Sequence, residues 1–508
     1  MNKKRLTINM IGQICSFLFN LGIGFFITPY IIKHLGEEMY GFVGLANNFT
    51  NYITLFTVAL SSMLSRYVTI AYVKKDYDEA SGYFSTAVIT QSVIAIILIG
   101  VSVVFINNME YVINISQDNV PDVKILWLLI FISFAVNIPF GSFSVGTYAS
   151  NRLEILSIIN IMAQSVRTIV LIVVFLFFTP HVWFVGLATV LSSIVTIVAS
   201  YITKNKLLPE VKLRFKYFDK KYIFNLLIVG FWNSLNRLQQ ILCDGLDLLI
   251  ANLFISPADM GLLSVAKMIP TQTTALAGTI SNSFEPSLTM VYGKNDKKQF
   301  IDGIIFAMKL SGWICSIPVL GFICFGNDFY SLWLPDLSLD ELYKTQILSV
   351  LVVLPQIISV YAYPFFSINT IMCKLKVPVI ISLISGILNV IIVLIMVNIT
   401  DFGIYAVAGV SSILWVLRIY TFYPIYVAHN LKLKYRILYK PLLSGLLNSI
   451  VIGGVFIFIA KLTECSSWIS FIITCISAAA LGYIIGFIVL FEKKEKKQIL
   501  KNLKNKWR

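Results

Sequence analysis

The chain has 508 residues, of which 57% are hydrophobic and only 13% charged, a balance that excludes an ordinary soluble domain and makes lipid the main solvent. Its net charge of +15 would suit a nucleic-acid partner only if the basic residues formed a patch on a folded domain. They fall instead between apolar segments and at both ends, so the charge reads as a topology signal and no nucleic-acid partner is expected.

The start, Lys3-Lys4-Arg5 followed by apolar sequence, has the first two regions of a signal peptide. The apolar run continues to Ile32 with no small-residue cleavage site, so a retained first helix is expected. A hydrocarbon core about 30 Å thick takes roughly 20 apolar residues per helical crossing. On that measure the chain is an all-α integral membrane protein of about fourteen transmembrane helices. The spans fall near 11–32, 40–64, 83–106, 125–148, 156–178, 182–202, 223–254, 261–291, 304–325, 348–372, 377–397, 405–427, 442–460 and 468–490.

With the N terminus in the cytoplasm, inside segments hold 31 of the 40 Lys and Arg, outside loops hold four and spans five. That asymmetry predicts a multi-pass protein of the cytoplasmic membrane with both termini inside. In the inside loop at 204–222, Lys212, Arg214 and Lys216 alternate with Leu213, Phe215 and Tyr217. This pattern suits an anchor lying on anionic inner-leaflet lipid, with a partner-protein site as the alternative.

Laid over itself at an offset of 220, the chain aligns its first two spans with its seventh and eighth. Gly41 meets Gly261, Ala46 meets Ala266, Ser61 meets Ser281, Tyr72 meets Tyr292, Lys74 meets Lys294 and Asp76 meets Asp296. Further on the offset drifts, so that Pro139 corresponds to Pro364 and Gly186 to Gly409. The expected organisation is a six-helix lobe at 1–203, a basic linker at 204–222, a second six-helix lobe at 223–428, two extra helices at 429–492 and a basic tail at 493–508. An even number of crossings per half makes the repeat parallel, about an axis along the membrane normal, with a substrate path between the lobes.

In span seven Asn233, Arg237, Gln240, Asp244 and Asp247 fall on one helical face, and in span eight Lys267, Thr271, Thr274, Gly278, Ser281 and Glu285 do the same. The first half keeps the stripe without the charge: Gln13, Ser16, Asn20 and Gly24, then Asn47, Asn51, Thr54, Ser61 and Ser65. Helix packing accounts for the small residues but poorly for Arg237 and Lys267. A charge near the bilayer centre costs about 2.5–3.5 kcal/mol on insertion scales, so these groups need either mutual pairing or a wet cavity. Two readings stay open: pairing of Arg237 or Lys267 with Asp244, Asp247 or Glu285, and a substrate or ion site. Arg167 is deep with no acid on its own helix, Arg66 sits at the mouth of span two, and Lys309 and Arg418 are placed to snorkel toward a face. The excess of basic groups suits an anionic head group, and the Arg fork matches phosphate. The candidate substrate-binding residues are thus Arg66, Arg167, Arg237, Lys267, Asn47, Asn51 and Gln240, with Asp244, Asp247 and Glu285 for ion coupling or charge pairing.

No catalytic or metal constellation emerges. The three histidines (His34, His181, His429) lie near span ends, the seven cysteines are scattered, and no phosphate-binding loop occurs. Asp336, Asp340 and Glu341 form the one dense acidic group on an outer loop and read as solvated.

The six plus six plus two arrangement, the turns from Tyr72 to Asp76 and from Tyr292 to Asp296, the segment from Asp247 to Ala266, and Phe284-Glu285-Pro286 resemble the Wzx-type O-antigen flippases. These are polysaccharide transporters of the MOP exporter superfamily, which also holds lipid II flippases and MATE drug exporters. The resemblance implies a V-shaped MATE-like bundle and a substrate of undecaprenyl-diphosphate-linked oligosaccharide, a repeat unit of O-antigen, capsule or exopolysaccharide. It implies alternating access without chemistry, coupling to a proton or sodium gradient, no bound cofactor, and polymerase and chain-length proteins as partners. A MATE-like ion-coupled exporter of cationic drugs and a membrane-embedded polysaccharide polymerase are the rivals.

Overall fold

A computed structural model describes residues 3–496 apart from 151, 283, 294–295, 373, 375, 464 and 494. Lys294, Cys373 and most of the basic tail therefore lie outside the described residues. Among the described residues the chain is helical throughout, with no strand, as an apolar chain in lipid must be when each segment satisfies its own backbone polar groups.

The helices are α1 (Lys3–Val73), α2 (Tyr77–Asn107), α3 (Val120–Gly141), α4 (Val145–Ala149), α5 (Leu153–Phe177), α6 (Trp183–Leu207), α7 (Lys220–Gln240), α8 (Asp247–Phe254) and α9 (Pro257–Ala266). They continue as α10 (Met268–Asn282), α11 (Glu285–Gly293), α12 (Lys297–Trp333), α13 (Leu339–Val353), α14 (Gln356–Ala362) and α15 (Pro364–Ile371). The last four are α16 (Lys376–Ile399), α17 (Ile404–Leu431), α18 (Arg436–Leu462) and α19 (Trp468–Leu490).

Among the described residues eleven helices are long and apolar enough to cross a membrane, against the fourteen expected crossings. Two features account for the difference. Expected spans one and two form one rod, α1, whose candidate span of 63 residues is broken into two limbs at Gly36. There φ is 81°, a conformation that glycine adopts without steric cost. Expected spans seven and eight are discontinuous: a π-helical turn at Ile241–Gly245 separates α7 from α8, and a turn at Lys267 separates α9 from α10. Their polar residues also hold their hydropathy down.

The repeat recurs in the local structure. Asp76 caps α2 by accepting from the Glu79 amide at 2.9 Å, and its counterpart Asp296 caps α12 by accepting from the Gln299 amide at 2.9 Å.

The chain divides into two compact units, Met1–Ser264 and Val265–Arg508. In the first, α3 packs on α6, α5 on α6 and α1, and α7 on α1. Its core joins Leu60, Leu64 and Val68 to Phe84, Phe143 and Leu226. In the second, α12 packs on α14, α18 and α19, with Tyr361 fully buried and its hydroxyl accepting from Asn448 Nδ2 at 3.1 Å.

Lys309 and Arg418, expected to snorkel, are buried instead, at 8% and 5% exposure. Lys309 Nζ is held by both carboxylate oxygens of Glu495 at 3.0 and 2.9 Å, which removes its need for water. The Arg418 guanidinium lies over the Trp415 ring, 4.5 Å from its centroid, and its Nε and Nη1 have no partner among the described residues.

Candidate functional site

The second limb of α1 and the segment from α7 to α9 run antiparallel in close register. A Cβ on Gly230 would lie 1.9 Å from the Ala59 carbonyl oxygen, so the two backbones touch there. One turn along, Ser234 Oγ donates to the Leu55 carbonyl at 3.1 Å. Close backbone approach at a small residue is the usual means by which membrane helices adhere without a hydrophobic driving force.

At the next turn the seam becomes polar. The Arg237 Nε donates to Thr54 Oγ1 at 2.9 Å, Nη1 to Gln240 Oε1 at 2.8 Å and Nη2 to Asn51 Oδ1 at 2.7 Å. Thr54 in turn donates to the Asn51 carbonyl at 2.6 Å, which orients its lone pairs toward the guanidinium. All three partners of Arg237 are neutral, and no carboxylate among the described residues is paired with it. The positive charge is therefore held in place without being cancelled. A guanidinium has five N–H groups and three are used, which leaves two donors for a ligand. Asn51 and Gln240 are exposed, so the cluster is open to one.

Beyond Gln240 the helix widens into the π turn, and the Gly245 carbonyl accepts from Asn48 Nδ2 at 3.1 Å and from the Tyr52 hydroxyl at 2.5 Å. Single π turns recur at functional sites because they free carbonyls for other partners. The same turn corrects the expectation of one polar face from Asn233 to Asp247. Its extra residue rotates the helix, so Asp244 is exposed while Asp247 turns inward to 3% exposure.

The structure thus brings together Arg237, Gln240 and Asn51. Asn47 is exposed one turn before Asn51, with its carbonyl accepting from Thr50 Oγ1 at 2.8 Å. Arg66 is exposed near the end of α1 and makes no hydrogen bond or ion pair among the described residues. Arg167, on α5, likewise makes none, and Tyr40 is within its electrostatic reach. Lys267 and Glu285 belong to the second unit. There the stripe of span eight has a structural share: Thr274 Oγ1 accepts from Gln356 Nε2 at 2.6 Å, and Thr273 Oγ1 donates to Gln356 Oε1 at 2.7 Å, tying α10 to α14.

Sequence reasoning placed Thr54 in a stripe without seeing it as an anchor of Arg237, and passed over Asn48 and Tyr52. Their spacing of four residues on one helical face was the available signal.

A family model described as polysaccharide biosynthesis protein matches residues 6–290, more than half of the chain. The chain belongs to that family. A family relative, the uncharacterized membrane protein EpsK of Bacillus subtilis, is 26% identical over 504 residues, covering 98% of each chain. Among solved structures, an inward-facing multidrug resistance MATE transporter of the MOP superfamily superposes with a TM-score of 0.70 at 14% identity, over 86% of this chain and 98% of that one. The lipid II flippase MurJ in an inward closed conformation superposes with a TM-score of 0.65 at 17% identity, over 94% of this chain and 98% of that one. At such identities the likeness is one of fold, and the chain shares the fold of these two structures, as expected from its sequence.

Proposed function

We propose that the chain is a flippase that carries an undecaprenyl-diphosphate-linked oligosaccharide, a repeat unit of O-antigen, capsule or exopolysaccharide, across the cytoplasmic membrane by alternating access. The observation that carries this reading is Arg237: a fixed guanidinium with neutral partners and two N–H donors to spare suits a diphosphate oxygen. Arg66, Arg167, Lys267 and Asn47 are proposed to share the head group with Asn51 and Gln240. Asp244, Asp247 and Glu285 are proposed to balance the basic groups or to take a coupling proton or sodium ion. An apolar cavity of about 400 Å³ in the second unit, lined by residues including Ile317, Gly321, Phe325, Phe456 and Ala478, offers a prenyl chain matching chemistry. Polymerase and chain-length proteins would receive the product, and no covalent chemistry is assigned to this chain.

The test is reconstitution in liposomes with a fluorescent undecaprenyl-diphosphate oligosaccharide, following loss of label from one leaflet with and without a proton or sodium gradient. Transport above protein-free vesicles that Arg237→Ala abolishes, with the variant still inserted and folded, supports the reading. Transport unchanged by Arg237→Ala removes that residue from the site. Export of a fluorescent cation without glycolipid movement moves the assignment to a drug exporter, a function for which an uncancelled guanidinium is poorly suited. Lengthening of the glycan by the purified protein would make it a polymerase.

A further inference from the structure

The segment joining α6 to α7 is a strap whose backbone is held at several points along its length. It starts from two buried plugs, Leu208 and Val211, each at 1% exposure or less, and Lys204 Nζ clamps the Val211 carbonyl. Three buried hydroxyls on one face of α2 then stitch the chain down. Ser81 Oγ accepts from the Lys212 amide at 3.0 Å, and Ser85 Oγ donates to the Lys212 carbonyl at 3.0 Å while accepting from the Arg214 amide at 3.2 Å. Thr86 Oγ1 donates to the Tyr217 carbonyl at 3.5 Å and accepts from the Asp219 amide at 3.1 Å. Ser81, Ser85 and Thr86 are each at 1% exposure or less, so this is a built support for the strap.

The crest it holds up is amphipathic. Arg214 is extended and Phe215–Tyr217 form a 3-10 turn, which puts Phe215 at 84% exposure and Leu213 at 45%. Lys212, Arg214 and Lys216 are exposed around them. Acids lie beside the crest as well: Glu210 accepts from the Tyr72 hydroxyl at 3.2 Å, Asp219 from the Lys221 amide at 2.8 Å and Asp78 from the Tyr217 hydroxyl at 2.9 Å, while Asp76 and Glu79 line the same pocket as Lys216. A phenyl ring held out on a pinned backbone is unfavourable in water and costs little where a bilayer begins. The helices entering the strap carry exposed apolar side chains to the same end: Val198 and Ile202 on α6, Phe224 and Ile228 on α7.

We propose that this strap is a docking surface for anionic lipid, in which Phe215 and Leu213 enter the acyl boundary and Lys212, Arg214 and Lys216 bind head-group phosphates. The charge is complementary, the apolar surface is continuous with the membrane-facing helices, and the pinned backbone has already lost the entropy that a flexible loop would lose on binding.

The test places full-length Phe215→Cys, labelled with an environment-sensitive fluorophore, in nanodiscs of phosphatidylcholine alone or mixed with phosphatidylglycerol; the parent chain labelled in parallel supplies the background. The expected result is a blue shift that grows with phosphatidylglycerol and is reversed by salt. Changing Lys212, Arg214 and Lys216 to Gln should lower the ratio of inserted to solvated probe about fivefold per charge removed. A spectrum identical in the two bilayers, or insertion untouched by the Gln changes, overturns the proposal. So does a shift seen only on adding soluble cell extract, which would make the strap a protein-docking site. The readout is independent of transport, so it stands apart from the flippase reading.

Discussion

A Cβ added to Gly41 would lie 2.8 Å from the Cα of Gly261, so these two glycines sit backbone to backbone. They are counterparts in the internal repeat read from the sequence, so this contact joins one position of the repeat to its own copy. The contact depends on both side chains being absent: on the other side, a Cβ on Gly261 would come 2.3 Å from the Glu37 carbonyl oxygen.

Gly261→Ala should therefore force backbone away from backbone and cost about 1–3 kcal/mol. The purified variant is expected to unfold several degrees lower in detergent. Gly22→Ala is the control, because nothing lies within 4 Å of its added Cβ and alanine favours the helix. Equal midpoints for the two variants would remove the glycine contact from the account of this seam.

Asn51→Asp places a carboxylate where Arg237 Nη2 now meets a neutral oxygen at 2.7 Å. The new ion pair should hold or raise thermal stability while cancelling the charge offered to substrate. Glycolipid transport should then fall at least about tenfold, the scale of one charge-assisted hydrogen bond. Retained transport with a stabilised protein would separate Arg237 from the head group.

Glu495→Gln leaves Lys309 buried without its counter-charge. The side chains are 10% and 21% exposed, so the loss should be below that of a fully buried pair, about 2 kcal/mol. The double variant Lys309→Met with Glu495→Gln should recover most of it, and a thermal-shift cycle over the four proteins measures the coupling.

Arg418→Met should raise stability by about 1 kcal/mol or more. Burying Nε and Nη1 with no partner among the described residues costs more than the stacking on Trp415 returns. A lower midpoint in place of a higher one would mean that the guanidinium is satisfied by an ion or a chain of water.

Gly321→Leu projects into the apolar cavity beside Phe456, whose ring carbon lies 3.9 Å from the added Cβ. Filling that space should leave the fold intact and slow glycolipid transport. Unaltered transport would release the cavity from the prenyl chain.

Much of the site was legible from periodicity. Arg237 and Gln240 are one turn apart on a helix, and Asn51 falls on the polar stripe of another, so the residue types and their faces were readable without coordinates. The partnership across helices was not, because Arg237 had acids nearby in sequence and neutral groups nearby in space. The π turn was equally hidden: Ile241–Gly245 has nothing that an α-helix would refuse, yet it reverses the exposure of Asp244 and Asp247.

By itself the sequence determined an all-helical membrane protein built on an internal repeat with polar stripes, since solvent, helix length and the 3.6-residue period are local properties of composition and spacing. Tertiary structure decided which groups neutralise or spare a charge: Glu495 meets Lys309 across 186 positions, Asn51 meets Arg237 across 186, and three α2 hydroxyls pin a strap some 130 residues on. Such pairings depend on where helix backbones approach closely, at Gly230 and Gly261, and that approach is set by steric fit between distant segments, which no local pattern encodes.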